Sequence, residues 1–312
     1  IATTLRLWFE RHPVFGRSGT RSRRVAVALA AASVIVLGAG VVGAVVGRAA
    51  TSSSASPPPS TRPGAVSDDA LAASAASRDE AAQWIARQVA SSAVVACDPA
   101  VCTALQADGL PAARLLVLGT ASADPLGSDV VVATAAVRNQ FGARLASVYA
   151  PAVIASFGSG AARIDIRATA PDGSAAYESA VAADRQSRIS AGAQLLRNPR
   201  ITVAPGARAA LSAGAVDPRL LMLLAALAVQ QPVRIGAFGD SSPGAGASVP
   251  LRSAQIAPLQ AGAKAESGLR SMLSFVDAQR QPYLPLRASL VGTSALTIEY
   301  AAPSPLGLLS GP

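Results

Sequence analysis

Histidine is almost missing from this chain: His12 is the only one in 312 residues. It precedes a long uncharged run at 25–47, so everything after that run lacks an imidazole. The absence excludes Ser-His-Asp and Cys-His nucleophilic systems there, and zinc sites of the usual His-containing kind. Lysine is equally scarce. Lys264 stands alone among small and polar neighbours, Glu266 and Ser267 included, and reads as a solvated amine rather than half of a Ser-Lys pair. Aromatic residues are 4% of the chain, and none interleaves with a basic run beyond residue 48, so the usual footprint of nucleic-acid binding is absent. The acidic residues form none of the clusters that an all-carboxylate metal site requires. We therefore expect no cofactor, no nucleic acid and no enzyme. Arginine in place of lysine, with abundant alanine, is the composition of a GC-rich genome such as that of an actinobacterium.

What is present is led by the run VAVALAAASVIVLGAGVVGAVVG at 25–47, 23 residues without a charge. As a helix it would extend roughly 34 Å, enough to cross a hydrocarbon core of about 30 Å. Arg17, Arg21, Arg23 and Arg24 precede it and only Arg48 follows closely, which orients the N-terminus to the cytoplasm and the remainder outside. The net charge of +9 is largely part of this signal. Residues 1–48 hold seven Arg against Glu10, while the rest holds 20 basic and 17 acidic residues. The basic segment 1–24 suits anionic headgroups. A cleaved signal peptide is the rival reading, although signal cores are shorter than this run. Gly43 and Gly47 also have the spacing that lets two membrane helices approach, beside the plainer reading of a lone anchor. The chain opens on Ile1 rather than Met, so a longer cytoplasmic part is also open.

Residues 48–77 are rich in Ser and Pro at their start and read as a linker. Asp68 and Asp69, and then Ser77 with Glu80 three residues on, are helix-start signals, the latter a capping box, and the pattern predicts a helix over 78–90. Short apolar runs at 93–97, 114–118, 129–133 and 152–157 then alternate with helical stretches at 99–107 and 135–148. The stretch 163–168 alternates as a strand with one wet face. The pattern predicts a Rossmann-like α/β domain over 78–170, with a mostly parallel sheet and a hairpin at its edge. A connecting helix is expected at 171–196. A smaller α+β domain follows at 197–303, with strands at 200–203 and 233–238 and helices at 205–213, 218–230 and 263–279. It closes on a hairpin, 284–291 with 295–301, and 304–312 is expected to fray.

Few residues are candidates for a site. Cys97 and Cys102 flank a strand-to-helix corner within reach of a bridge. In an exported domain a disulfide is the first reading and two buried thiols the second. Asp98, Asp124 and Asp129 lie near strand ends, where open α/β sheets bind ligands, so a shared cleft is one reading. Helix caps and turns explain each of them equally well. Phe157-Gly158-Ser159-Gly160 imitates a phosphate loop, yet no helix follows it, and a hairpin turn is the better reading.

Two stretches carry family resemblances. AAQWIARQV, LGSDVVVATAAVR and VIASFGSGAARIDIR, within 81–167, resemble the extracytoplasmic C-terminal domain of actinobacterial phospholipid-carrier-dependent, protein-mannosyltransferase-like glycosyltransferases. That family's catalytic carboxylates lie in a multi-spanning part with no counterpart here. Residues 191–235 are similar to a segment beside zinc D-Ala-D-Ala carboxypeptidase-like domains, but no His follows to supply the metal ligands. With the run at 25–47 giving a single-pass membrane anchor and the missing imidazole a non-catalytic role, these resemblances imply a binding or scaffolding module of the cell envelope. Its partner would be an envelope glycan, a glycolipid or a membrane enzyme. The alternative is an accessory or degenerate subunit of an envelope glycosyltransferase or cell-wall enzyme.

Overall fold

A computed structural model describes residues 68–119, 124–246 and 249–309. Contacts divide the chain into Ile1–Thr61 and Arg62–Pro312, and every described residue belongs to the second unit. The expected membrane run at 25–47 lies outside the described residues. Among those described, no helix is long and apolar enough to cross a membrane.

The unit is α/β and contains two mixed sheets. Helix α1 (Asp68–Gln88) begins ten residues before the expected start, so 68–77 are helix rather than linker. Asp68 and Asp69 in the first turn favour the helix dipole, and the Ala-rich sequence supplies high propensity. Ser77 is therefore mid-helix and caps nothing; its hydroxyl donates to the Ala73 carbonyl. Strand β1 (Val95–Cys97), helix α2 (Pro99–Ala107) and strand β2 (Leu115–Val117) form a parallel crossover. β3 (Val130–Ala133), helix α3 (Ala135–Phe141), β4 (Ala152–Phe157) and β5 (Ile164–Ala168) complete the first half.

The first sheet has the order β2-β1-β3-β5-β4. β1 is parallel to β2 and β3, whereas β5 is antiparallel to both β3 and β4. The sheet is thus mixed rather than mostly parallel, because the β4–β5 hairpin supplies two of its five strands. Both faces are buried. Val95, Cys97, Val130 and Val132 pack with Trp84, Ile85 and Leu105 of α1 and α2. Ala96, Val131 and Ala133 face the other way, toward Val137, Leu145 and Tyr149. The helix expected over 135–148 is interrupted at Gly142, whose φ of 56° is left-handed, and the chain resumes as a wide turn at Leu145–Tyr149.

Helix α4 (Ser174–Arg197) leads to β6 (Ile201–Val203), α5 (Pro205–Ser212), α6 (Pro218–Gln230), β7 (Val233–Gly239), β8 (Ser253–Pro258), α7 (Ala263–Asp277), β9 (Arg287–Val291) and β10 (Ala295–Glu299). The order is β6-β7-β8-β10-β9, with only β6 and β7 parallel. This sheet also has five strands, because β8 was not expected from sequence. Its inward side chains, Ala254, Ile256 and Pro258, make a weak pattern, since one is small and one lacks a backbone donor. One face carries a core of Leu220, Leu224, Leu227, Ile235, Leu269 and Ile298. The helices α4 and α5 meet closely at Gly192, where a Cβ would lie 2.5 Å from the Leu211 carbonyl oxygen.

The two halves are joined by the chain end. Ala302 donates to the Gln88 carbonyl at 2.7 Å, and Ala90 donates to the Ala302 carbonyl at 2.9 Å. Beyond it, Ser304 bonds Asp217, the Gly307 N–H donates to Asp184 Oδ1 at 3.1 Å, and Leu309 packs on the second core. The part of 304–312 that is described is anchored rather than frayed.

Tyr300 is fully buried, and its hydroxyl donates to the Tyr283 carbonyl at 2.8 Å. Burial, then the nearby Asp217 charge, pushes its phenol well above the usual tyrosine range, with Arg219 opposing. A raised folded pKa is a stabilising term present below the unfolded value, about 10, and lost as pH rises beyond it, since the unfolded state then holds fewer protons. Urea unfolding followed between about pH 8 and 11 should show falling stability above pH ~10. Tyr300→Phe should flatten that limb, and identical slopes would disprove the assignment.

Candidate functional site

The carboxyl ends of β1 and β3 are adjacent, and α2 and α3 depart from them. That is the position where open α/β sheets leave a crevice. Here it is a cleft of about 420 Å³. Its walls are mostly small and apolar, including Ala100, Ala135, Ala136 and Ile164, with Arg78 of α1 and Arg163 at the start of β5 beside it. Small side chains at the helix starts leave the space open.

Asp98 sits in the cleft as the N-cap of α2. Its Oδ1 accepts from the Ala100 and Val101 N–H groups, each at 3.0 Å, and its Oδ2 accepts from the Thr134 hydroxyl at 2.5 Å. Thr134 in turn caps α3, accepting from the Val137 N–H at 3.3 Å. Both carboxylate oxygens are engaged, so Asp98 serves to lock two helix starts together. Asp129 lies at the opposite, amino ends of the strands, where its Oδ2 accepts from the Val94 N–H at 2.8 Å. Val94 is four residues before Asp98, so the two carboxylates are about 13 Å apart along the strand. Asp124 caps the short turn Pro125–Gly127 through the Leu126 N–H. The three aspartates do not share a cleft. Asp98 and Asp124 are caps, Asp129 ties the starts of β1 and β3 together, and of the three only Asp98 borders the crevice.

The cationic groups are the part that sequence reading missed. Arg163 donates from Nε to Asp165 Oδ1 at 2.8 Å while its side chain stays half exposed. Its carbonyl accepts from Arg138, which also holds the Ala133 carbonyl at the end of β3. Arg78 is half-buried in the cleft wall and has no hydrogen-bond or ion-pair partner among the described residues. In the sequence it stood beside a supposed helix start. Only the longer α1 places it one turn after Ser74 on the face that meets the cleft. The crevice can therefore hold a compact apolar body with an anion against Arg78.

Cys97 and Cys102 form the disulfide, with sulfurs 2.03 Å apart. The bridge ties the end of β1 to the first turn of α2 and so stiffens one wall of the crevice. No group of His, Cys, Asp or Glu able to hold a metal ion occurs among the described residues.

A second groove, about 530 Å³, runs between α1 and the end of β4 and reaches Pro243. Trp84 and Phe157 at its base are 8% and 6% exposed, so little aromatic surface faces it. Of its polar groups, Arg87 bonds Gln83 and Gln88 bonds Arg252, while the lining Glu80 adds a negative charge. The switch-point crevice, with a cation that has no partner among the described residues, is the better candidate. The Gly158 turn beside the groove joins β4 to β5 and carries no helix of its own beyond a three-residue turn. Its φ is 63°, and a Cβ there would lie 2.1 Å from the Ser77 hydroxyl. No family model, curated protein or solved structure matches this chain.

Proposed function

We propose that this protein is a binding module of the cell envelope, tethered by the run at 25–47 with its α/β unit outside the membrane. Its crevice takes a ligand with a compact apolar body and an anionic group, such as a phosphate-bearing envelope glycan or glycolipid. The observation that carries this reading is Arg78, a cation without a partner among the described residues, in the wall of a crevice at the switch point of the first sheet. The Cys97–Cys102 bridge supports an oxidising compartment. The role is binding rather than catalysis, because the carboxylate at the crevice spends both oxygens on helix starts.

The test is calorimetric titration of the full chain with inorganic phosphate and with a hexose 1-phosphate. Loss of a hydrogen bond to a charged group costs about 1.5–3 kcal/mol, so Arg78→Ala should weaken binding roughly 10- to 100-fold. Arg163→Ala should cost less, since Asp165 already engages that guanidinium. The proposal fails if neither probe binds, or if Arg78→Ala binds as the parent does.

A further inference from the structure

The sheet edges are closed in different ways. β2 and β6 are only three residues long. β4 shifts register between Val153 and Ala155, and its Ser156 N–H donates to the Pro243 carbonyl at 2.7 Å. Short strands, bulges and covering loops all blunt an edge. β9 has none of these devices. It has five residues in unbroken register with β10, without Pro or Lys, and no described strand or loop pairs with its outer side. Leu290 and Val291 are 42% and 45% exposed, and Leu284 and Leu286 beside the strand are also exposed. An apolar edge with unpaired backbone groups is a template for another strand.

We propose that β9 pairs antiparallel with β9 of a second copy, about a two-fold axis at Ser289, making one continuous sheet of ten strands. The register follows from the residues. Ala288 and Leu290 lie opposite the core residues Ile298 and Leu296 of β10, so they share the core face. Centring the pair on Ser289 sets each Leu290 over the Ala288 of the other copy, large on small, and covers side chains that the helix layer leaves open. On the other face Arg287 meets Val291, so no like charges oppose. A one-residue slip would turn both leucines to the wrong face. In this register the strand is its own complement in size and sets no like charges together, which favours a second copy over an unrelated peptide.

The test uses the full chain in mild detergent. Ser289→Cys sets two thiols opposite each other, while Cys97 and Cys102 are bonded to one another. Mild oxidation should give a covalent dimer, and Val117→Cys on the exposed edge of the first sheet should not. In sedimentation, Leu290→Lys should weaken self-association roughly tenfold or more with an unchanged melting curve. A monomeric parent chain would overturn the proposal. So would equal cross-linking at 289 and 117, or a dimer that survives Leu290→Lys, which would place association elsewhere, such as the Gly43–Gly47 spacing.

Discussion

Replacing Arg252 with Met should destabilise the α/β unit by about 3–5 kcal/mol, the cost of removing one partner from a buried charge pair. Arg252 is 1% exposed and sits where the two halves meet. Its NH2 donates to Asp240 Oδ1 and to the Ser242 hydroxyl, each at 2.8 Å, and its NH1 donates to the Tyr300 carbonyl at 2.5 Å. The Gln88 side-chain carbonyl from α1 lies 3.4 Å away. Met fills the volume but leaves Asp240 buried without its cation. The cluster is also imperfect, since Asp240 Oδ2 and Arg252 Nε are buried without partners. Removing both charges should therefore restore much of the loss, and Asp240→Asn with Arg252→Met should be more stable than Arg252→Met alone. Urea unfolding followed by circular dichroism measures both. A single-variant loss under about 1 kcal/mol would mean that the pair contributes no more than a surface bridge.

Asp217→Ala should cost a similar amount, about 3–5 kcal/mol. Asp217 is fully buried and performs three tasks. It caps α6 through the Arg219 N–H at 2.8 Å, pairs with the Arg219 guanidinium at 2.7 Å, and accepts from Ser304. Without it Arg219 keeps only the Ala301 carbonyl at 2.7 Å and the face of Tyr300, 4.8 Å from the ring centroid. A lost cap alone accounts for about 0.5–2 kcal/mol. The excess beyond that figure isolates the buried ion pair. Arg219→Met in the Asp217→Ala background should recover part of the loss, and a total near 1 kcal/mol would reduce Asp217 to a cap. Protease nicking near residue 304 should also increase in Asp217→Ala, because the anchor of the chain end is gone.

Asp217 also shows how far local sequence reaches. Asp followed by Pro announces a helix start, and α6 begins at Pro218 as expected. Nothing local announces that the same carboxylate binds Ser304, 87 residues away, so the sequence alone predicts a frayed tail. Similarly, α2, β4 and the hairpin at Gly292 were legible from capping, apolar runs and turn chemistry. β8 was not, because its inward residues are Ala, Ile and Pro, and its place comes from its partners β7 and β10. The start of α1 was misplaced by a Ser-x-x-Glu pattern that lies inside a longer helix, where Ser77 meets Gly158 instead. That error hid Arg78. Among the proposed aspartates, sequence marked three strand ends but not which end of the sheet each occupied.

By itself the sequence determined the scarcity of imidazole and lysine, the alternation of strand and helix, and a cysteine pair spaced for a corner bridge, because composition and periodicity are local properties. The tertiary structure alone decided that the first sheet is mixed, that Asp98 and Thr134 lock two helix starts beside Arg78, and that among the described residues β9 has no neighbour on its outer side. Those depend on strand order, and strand order is set by side chains far apart in the chain burying one another.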